Sequence, residues 1–348
     1  MSTRFPNITE INVRERLSNW ATLAGIGIFV VLLAMPTILT VLPGVSEVSW
    51  TFLLVVMMCF AIAAMGFNVL LGYTGLLSFG HAAFFGTAAY AVALGFDRLG
   101  IHDLILLLVF AVAVAGLFGV IIGLLSLNSN EIYFALLTLA LAQILHILAD
   151  RDFQGLTQGS DGTSVEQPDL FGLGINELGR NPYVMEFFYY IVLLVLVAVV
   201  VFLWYVLRSP FGLTLKMIRE NPERTEMIGV PVKRYRLYSF VLSAMVVGLA
   251  GALWAIQLGR ITPEEMDWLL SGELVFITLL GGVGTFIGPA VGAFAFIGLE
   301  EFALDFTQYW HLTMGVVLLL VVLTVRERGV WGGLKDAKAY LDRRRGAE

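Results

Sequence analysis

Eight apolar stretches, most of them about twenty residues long, constrain this chain more than any other feature. They run over 21–42, 50–71, 76–96, 104–125, 131–149, 187–207, 236–258 and 312–325 and are almost free of charge. An α-helix of about 20 apolar residues crosses the hydrocarbon core of a bilayer. Backbone groups at that depth must be satisfied internally, which leaves helices or closed barrels. These runs lack the polar–apolar alternation of a barrel strand. The sequence therefore predicts an all-α polytopic membrane protein. Composition agrees: 14% of residues are charged and 58% are hydrophobic, where a soluble domain carries about 25% charged residues.

Charge is segregated along the chain. Lys and Arg gather in the first 19 residues, in the loop 208–236 and in the tail after Arg326. The positive-inside rule puts all three in the cytoplasm. The loop 150–186 has seven acids against Arg151 and Arg180, and 259–273 carries Glu264, Glu265, Asp267 and Glu273. Both are expected outside. Five spans lead from an inside N-terminus to the 150–186 loop, and a sixth returns to the basic loop. An inside C-terminus then requires that 272–304 either cross twice or enter and leave on the external side. About ten membrane-entering segments are expected. The predicted organisation is a cytoplasmic tail 1–19, a transmembrane domain 20–325 and a basic cytoplasmic tail 326–348. The first tail, with Arg4, Arg14 and Arg16, is too long and polar for the n-region of a signal peptide, so the first span is expected to be retained. The lone Cys59 falls inside a span and reads as a buried structural thiol.

The loop 208–236 holds seven Lys/Arg against three Glu and has its own helix punctuation. Ser209 is placed to cap a helix starting at Pro210, where the missing N–H costs nothing. Phe211, Leu215 and Ile218 fall on one stripe. Asn221-Pro222 repeats the start signal, and Gly229 suits a left-handed stop. Two short helices are predicted. Their stripe is read either as packing on the membrane bundle or as part of a docking surface. The polar tip (Arg219, Glu220, Asn221, Glu223 and Arg224) is read as available to a soluble partner.

Two glycine-rich stretches interrupt the apolar pattern. One runs from Gly72 to Gly86 and the other from Leu280 to Gly292; counting Leu71 before the first, both open on Leu-Gly-x-x-Gly. Irregular backbone at membrane depth survives only where protein covers it or where it lines a cavity. The alternative is that the glycines merely let helices pack closely. Asn68, Tyr73, Thr74, Ser78 and His81 in or beside the first stretch, and Gly281, Gly282, Gly284 and Thr285 in the second, are candidate path residues. For His81 the alternative is a structural hydrogen bond to a neighbouring carbonyl. His146 is expected at an interface, and His102 and His311 in loops.

What is absent narrows the function classes. No G-x-x-x-x-G-K-[ST] phosphate cradle occurs. Ionisable groups within the spans are scarce, Glu273, Glu300 and Glu301 being the nearest, so no ion relay is apparent. No histidine pair has metal-ligand spacing, and no catalytic set emerges. No metal, cofactor, nucleic-acid partner or enzymatic activity is expected.

Four segments carry a family resemblance. The Gly72–Gly86 stretch (GYTGLLSFGHAAFFG), Ile132–Ala140 (IYFALLTLA), Thr157–Gly162 (TQGSDG) and Gly281–Pro289 (GGVGTFIGP) resemble branched-chain amino-acid ABC transporter permeases of the LivM type. The resemblance covers about residues 50–334. It implies an ABC importer permease fold with broken helices and a cytoplasmic coupling-helix loop. Such permeases carry a loop of the form EAA-x-x-x-G. Here Glu223 and Gly229 keep the spacing, while Arg224 and Thr225 replace the alanines. The resemblance implies a sister permease, two ATP-binding cassette subunits and an external substrate-binding protein, in a prokaryotic cell membrane. Relatives of this type also serve urea, short amides or aromatic acids. An autonomous channel or secondary carrier is the alternative from another class.

Overall fold

The computed structural model describes residues 31–38, 47–175, 179–306, 312–317 and 319. The tails 1–19 and 326–348, most of the first apolar window and His311 lie outside the described residues. The chain divides into two units, Met1–Thr51 and Phe52–Glu348. In the first, residues 31–38 are helical.

Helix α1 (Glu47–Asn68) loosens into a π-helical turn at Val69–Thr74, which ends on Gly75 in the left-handed region. A short irregular stretch leads into α2 (His81–Asp97). Helices α3 (Leu104–Ser126) and α4 (Glu131–Asp150) follow. After an irregular loop, a π turn at Tyr183–Phe188 opens into α5 (Tyr189–Arg208). The basic loop folds as α6 (Pro210–Glu220) and α7 (Pro222–Met227), and α8 (Val232–Leu258) re-enters the bundle. Five of the described helical stretches are long and apolar enough to cross a membrane. The all-α reading therefore stands, with one addition: β1 (Thr163–Ser164) and β2 (Arg260–Ile261) form a minimal antiparallel ladder.

Burial sorts these helices. From Leu54 onward α1 is almost wholly enclosed, and α2 is enclosed through Ala93. Cys59 sits in this interior, fully buried. Helix α8 packs on α2 and α3 through small residues. A side chain at Gly251 would strike the Phe85 backbone, and one at Gly119 would lie 2.8 Å from the Ala244 methyl. Such contacts bring backbones close where dispersion, not water exclusion, drives association. By contrast, α3, α4 and α5 keep exposed apolar faces, among them Leu106, Val109, Leu136, Ile144, Leu194 and Phe202.

The two ends of the bundle are distinct. At one, Thr163 pairs with Ile261 across the ladder, the Phe171 N–H donates to Asp103 at 2.9 Å, and the Asp169 N–H donates to the His102 carbonyl at 2.8 Å. The acidic loops 150–186 and 259–273 thus share one end. At the other, Lys233 donates to Asn128 and Arg236 pairs with Glu131, both at 3.3 Å. That end carries α6 and α7.

Helix α9 (Trp268–Gly281) has 14 residues, about 21 Å of rise. That is short of the ~30 Å hydrocarbon core. The chain turns over 282–287 and returns beside α9 as α10 (Gly288–Phe306).

Candidate functional site

The helix punctuation of the basic loop is largely where the sequence put it. Asn221 accepts from the Arg224 N–H at 2.8 Å, and Gly229 has φ +89°. Ser209 departs from expectation. Helix α6 does start at Pro210, but the Ser209 hydroxyl donates back to the Val206 carbonyl at 2.7 Å and caps nothing. Leu215 and Ile218 are buried, and Phe211 stacks on Tyr235 with centroids 5.8 Å apart. The apolar stripe is thereby committed to the bundle. Arg219, Glu220, Asn221, Glu223 and Arg224 remain exposed, together with Met227 and Ile228, two apolar side chains outside the predicted tip.

The two glycine-rich breaks meet. Asn68, at the end of α1, donates its amide Nδ2 to the Thr285 carbonyl at 2.9 Å and accepts the Gly284 N–H on Oδ1 at 3.0 Å. One side-chain amide thus satisfies a donor and an acceptor of the second break. Gly72 makes room for it: a Cβ there would fall on the Asn68 amide oxygen and lie 2.7 Å from the Gly284 nitrogen. Gly284 itself has φ +75°, open to glycine at little cost. Thr74 closes the π turn on itself by donating to the Val69 carbonyl at 3.1 Å, and Thr285 donates to the Gly282 carbonyl at 2.7 Å. Gly281 packs directly on the Gly288 backbone.

Helix α6 lies against this junction. The Lys216 ammonium sits 5.4 Å from the centroid of the Tyr73 ring. Arg219 donates Nη1 to the Gly72 carbonyl. Arg219 thus reaches from the tip to the junction while the residue itself stays exposed.

Ser78 and His81 lie deeper in the bundle, both fully buried. The imidazole is boxed by Phe67, Phe84 and Phe240, all edge-on, at 4.9, 5.4 and 5.7 Å. Nδ1 is 3.0 Å from the Ser78 hydroxyl and Nε2 is 2.9 Å from the Ser243 hydroxyl. Proton positions follow by elimination. The Ser243 hydroxyl donates to the Gly66 carbonyl at 2.8 Å, so it accepts from His81 Nε2–H. Nδ1 then accepts from the Ser78 hydroxyl, whose oxygen takes the Gly80 N–H at 3.2 Å. Every hydroxyl proton finds an acceptor, and α1, α2 and α8 are pinned at one point. The structural alternative for His81 invoked a carbonyl; its partners are two serines. Ser243 could not be paired with His81 from sequence, because 162 positions separate them.

At the acidic end, His146 donates Nδ1–H to the Pro263 carbonyl at 2.9 Å, and the His102 ring sits edge-on to Phe96 at 4.5 Å. Asp169 accepts from Ile175 and Gly174 at 2.9 and 3.1 Å. Partial desolvation raises its carboxyl pKa, but the backbone N–H groups of Ile175, Gly174 and Leu170 outweigh this and hold it below the ordinary aspartate value.

Comparison with known families bears on what such an arrangement serves. The family described as branched-chain amino acid transport system / permease component matches residues 49–325. The chain belongs to this permease family. Among curated relatives, the high-affinity branched-chain amino acid transport system permease protein LivM of Escherichia coli (strain K12) is 28% identical over 304 residues, covering 80% of this chain and 71% of that protein. The probable LivM permease of Methanocaldococcus jannaschii is 24% identical over 311 residues, covering 75% and 87%. The xylose transport system permease protein XylH of Escherichia coli (strain K12) is 29% identical over 123 residues, covering 33% and 31%. No solved structure matches. The permease family and the apolar helices together make this a multi-pass membrane protein and a transport component.

Proposed function

We propose that the chain is the pathway subunit of an ATP-driven ABC importer for branched-chain amino acids in a prokaryotic cell membrane. It acts with a sister permease, two ATP-binding cassette subunits and an external substrate-binding protein. The match of 49–325 to a branched-chain amino-acid permease family and the LivM relatives support the substrate class. The XylH relative keeps other small polar substrates in view.

The observation that carries the motor-coupled reading is the exposed tip of the basic loop. Glu220, Glu223, Arg224, Met227 and Ile228 project from two short helices whose inner face is already buried. Apolar side chains set among charges suit a protein partner better than water or lipid, and a few central contacts can each contribute about 2 kcal/mol or more. The basic loop is assigned to the cytoplasm, the acidic end to the outside, and both tails to the cytoplasm, within ten membrane-entering segments and the divisions 1–19, 20–325 and 326–348. Asn68, Tyr73, Thr74, Gly281, Gly282, Gly284 and Thr285 are assigned to the path, with Ser78 and His81 as its internal support.

The test is Glu223→Lys in the complete transporter reconstituted in liposomes. ATPase capture and substrate-stimulated hydrolysis should both fall, with the membrane subunits still assembled. Normal values for both would remove Glu223 from the coupling surface. Uptake driven by an ion gradient with this chain alone would replace the importer reading with that of a secondary carrier.

A further inference from the structure

We propose that Arg219 is a latch that holds the two glycine breaks closed from the loop side, and so is a positioning residue for the path. Three contacts converge on it. Its Nη1 donates to the Gly72 carbonyl in the π turn of the first break. Its side-chain stem covers Gly75, where a Cβ would come within 3.0 Å of Cγ. The same Nη1 lies 2.7 Å from where a Cβ on Gly284 would stand, in the second break. The breaks are themselves tied by Asn68, so one guanidinium touches both sides of a junction already closed by one amide.

The chemistry suits the position. The last carbonyls of a helix lack intrahelical donors, and a π turn leaves the Gly72 oxygen available. Guanidinium presents several donors on a rigid plane, so it can hold a carbonyl and still pack flat on backbone that has no side chain. Its long stem lets the charge reach in from α6, whose own face is anchored by Leu215 and Ile218. Lys216 over Tyr73 makes a second cationic contact to the same turn. A displacement of α6 therefore acts on the π turn directly, with no intervening residue. This rests on the proposed coupling role of the loop only for the source of the displacement; the latch itself is intrinsic to the chain.

The test uses the complete transporter in membrane vesicles without ATP, in a Cys59→Ser background. Thr285→Cys places a thiol in the second break and Asp161→Cys places one in the loop at the acidic end. Reactivity toward a small maleimide is compared with and without Arg219→Gln. Losing a hydrogen bond to a charged donor shifts an opening equilibrium by about tenfold, so reactivity at position 285 should rise by about that factor while position 161 is unchanged. Unchanged reactivity at 285 overturns the latch, as does an equal rise at 161, which would mean general loosening. ATPase capture is measured on the same membranes. Loss of capture in Arg219→Gln with position 285 unaffected makes Arg219 a motor contact and not a latch. Intact capture in Glu223→Lys, alongside a rise at 285 in Arg219→Gln, sinks the coupling surface and leaves the latch standing.

Discussion

Asn68 holds Gly284 through a single N–H···O bond of 3.0 Å between residues 216 positions apart, and the other half of the same amide holds Thr285. The end of the first long helix and the turn between α9 and α10 are thereby one junction. Asn68→Asp tests whether donor and acceptor are both required. The carboxylate could still accept from Gly284 but would face the Thr285 carbonyl with no proton to share. Uptake by the variant should fall by about tenfold or more, since an unsatisfied buried carbonyl costs about 1–3 kcal/mol. Uptake equal to that of the parent would show that the clamp plays no part in transport.

Gly72→Ala should act on the same junction. The added methyl would occupy the space of the Asn68 amide oxygen. Its effect and that of Asn68→Ala should be far from additive, because both remove one contact. A double-mutant cycle on uptake and on thermal stability measures this, and full additivity would mean that the two residues act separately.

These contacts mark how much the sequence disclosed. Both glycine stretches were legible as breaks, because Leu-Gly-x-x-Gly cannot continue an ordinary apolar helix pattern without cost. Their meeting was not legible, since nothing in periodicity links Asn68 to a carbonyl more than two hundred residues away. The boundaries at Pro210, Asn221 and Gly229 were readable because capping chemistry is local. Ser209 misled for the same reason: a serine before a proline satisfies the pattern, yet its hydroxyl was claimed by the preceding helix. Arg219 is legible as a tip charge, but its bond to the Gly72 carbonyl is not, because charge is visible in sequence and side-chain direction is not.

His81→Leu should lower stability more than it lowers the activity of the molecules that remain folded. It strands the Ser78 hydroxyl and removes a donor to Ser243, at about 1–3 kcal/mol for each buried group left unsatisfied. Thermal unfolding in detergent and uptake per assembled transporter should be compared. A normal melting temperature with lost uptake would return His81 to the path. Ser243→Ala should reproduce the stability loss in milder form, since it strands the His81 Nε2–H alone and leaves the Gly66 carbonyl with its helical environment.

Acid should release the loop at the acidic end through Asp169. Its folded pKa lies below the ordinary aspartate value. The contribution is therefore fully present above the unfolded pKa of about 3.9 and is lost as pH falls through the lower folded value. Limited proteolysis of 150–186 should be constant from neutral pH to about pH 4 and accelerate only below it. Asp169→Asn should cleave faster already at neutral pH, because one carboxylate oxygen becomes a donor facing backbone N–H groups. Equal cleavage of parent and variant at neutral pH would mean that Asp169 does not hold the loop.

The serine–histidine–serine chain bears on where movement can occur. Sliding α8 by one turn past α2 shifts it about 5.4 Å along its axis, enough to carry the Ser243 hydroxyl out of bonding range of His81. The aromatic box leaves no room for the imidazole to follow. Helices α1, α2 and α8 are therefore geared together at that depth, like a stator with its teeth engaged. Relative movement is left to the elements outside this gear: the α9–α10 turn, the loop helices, and α4 and α5 with their exposed apolar faces.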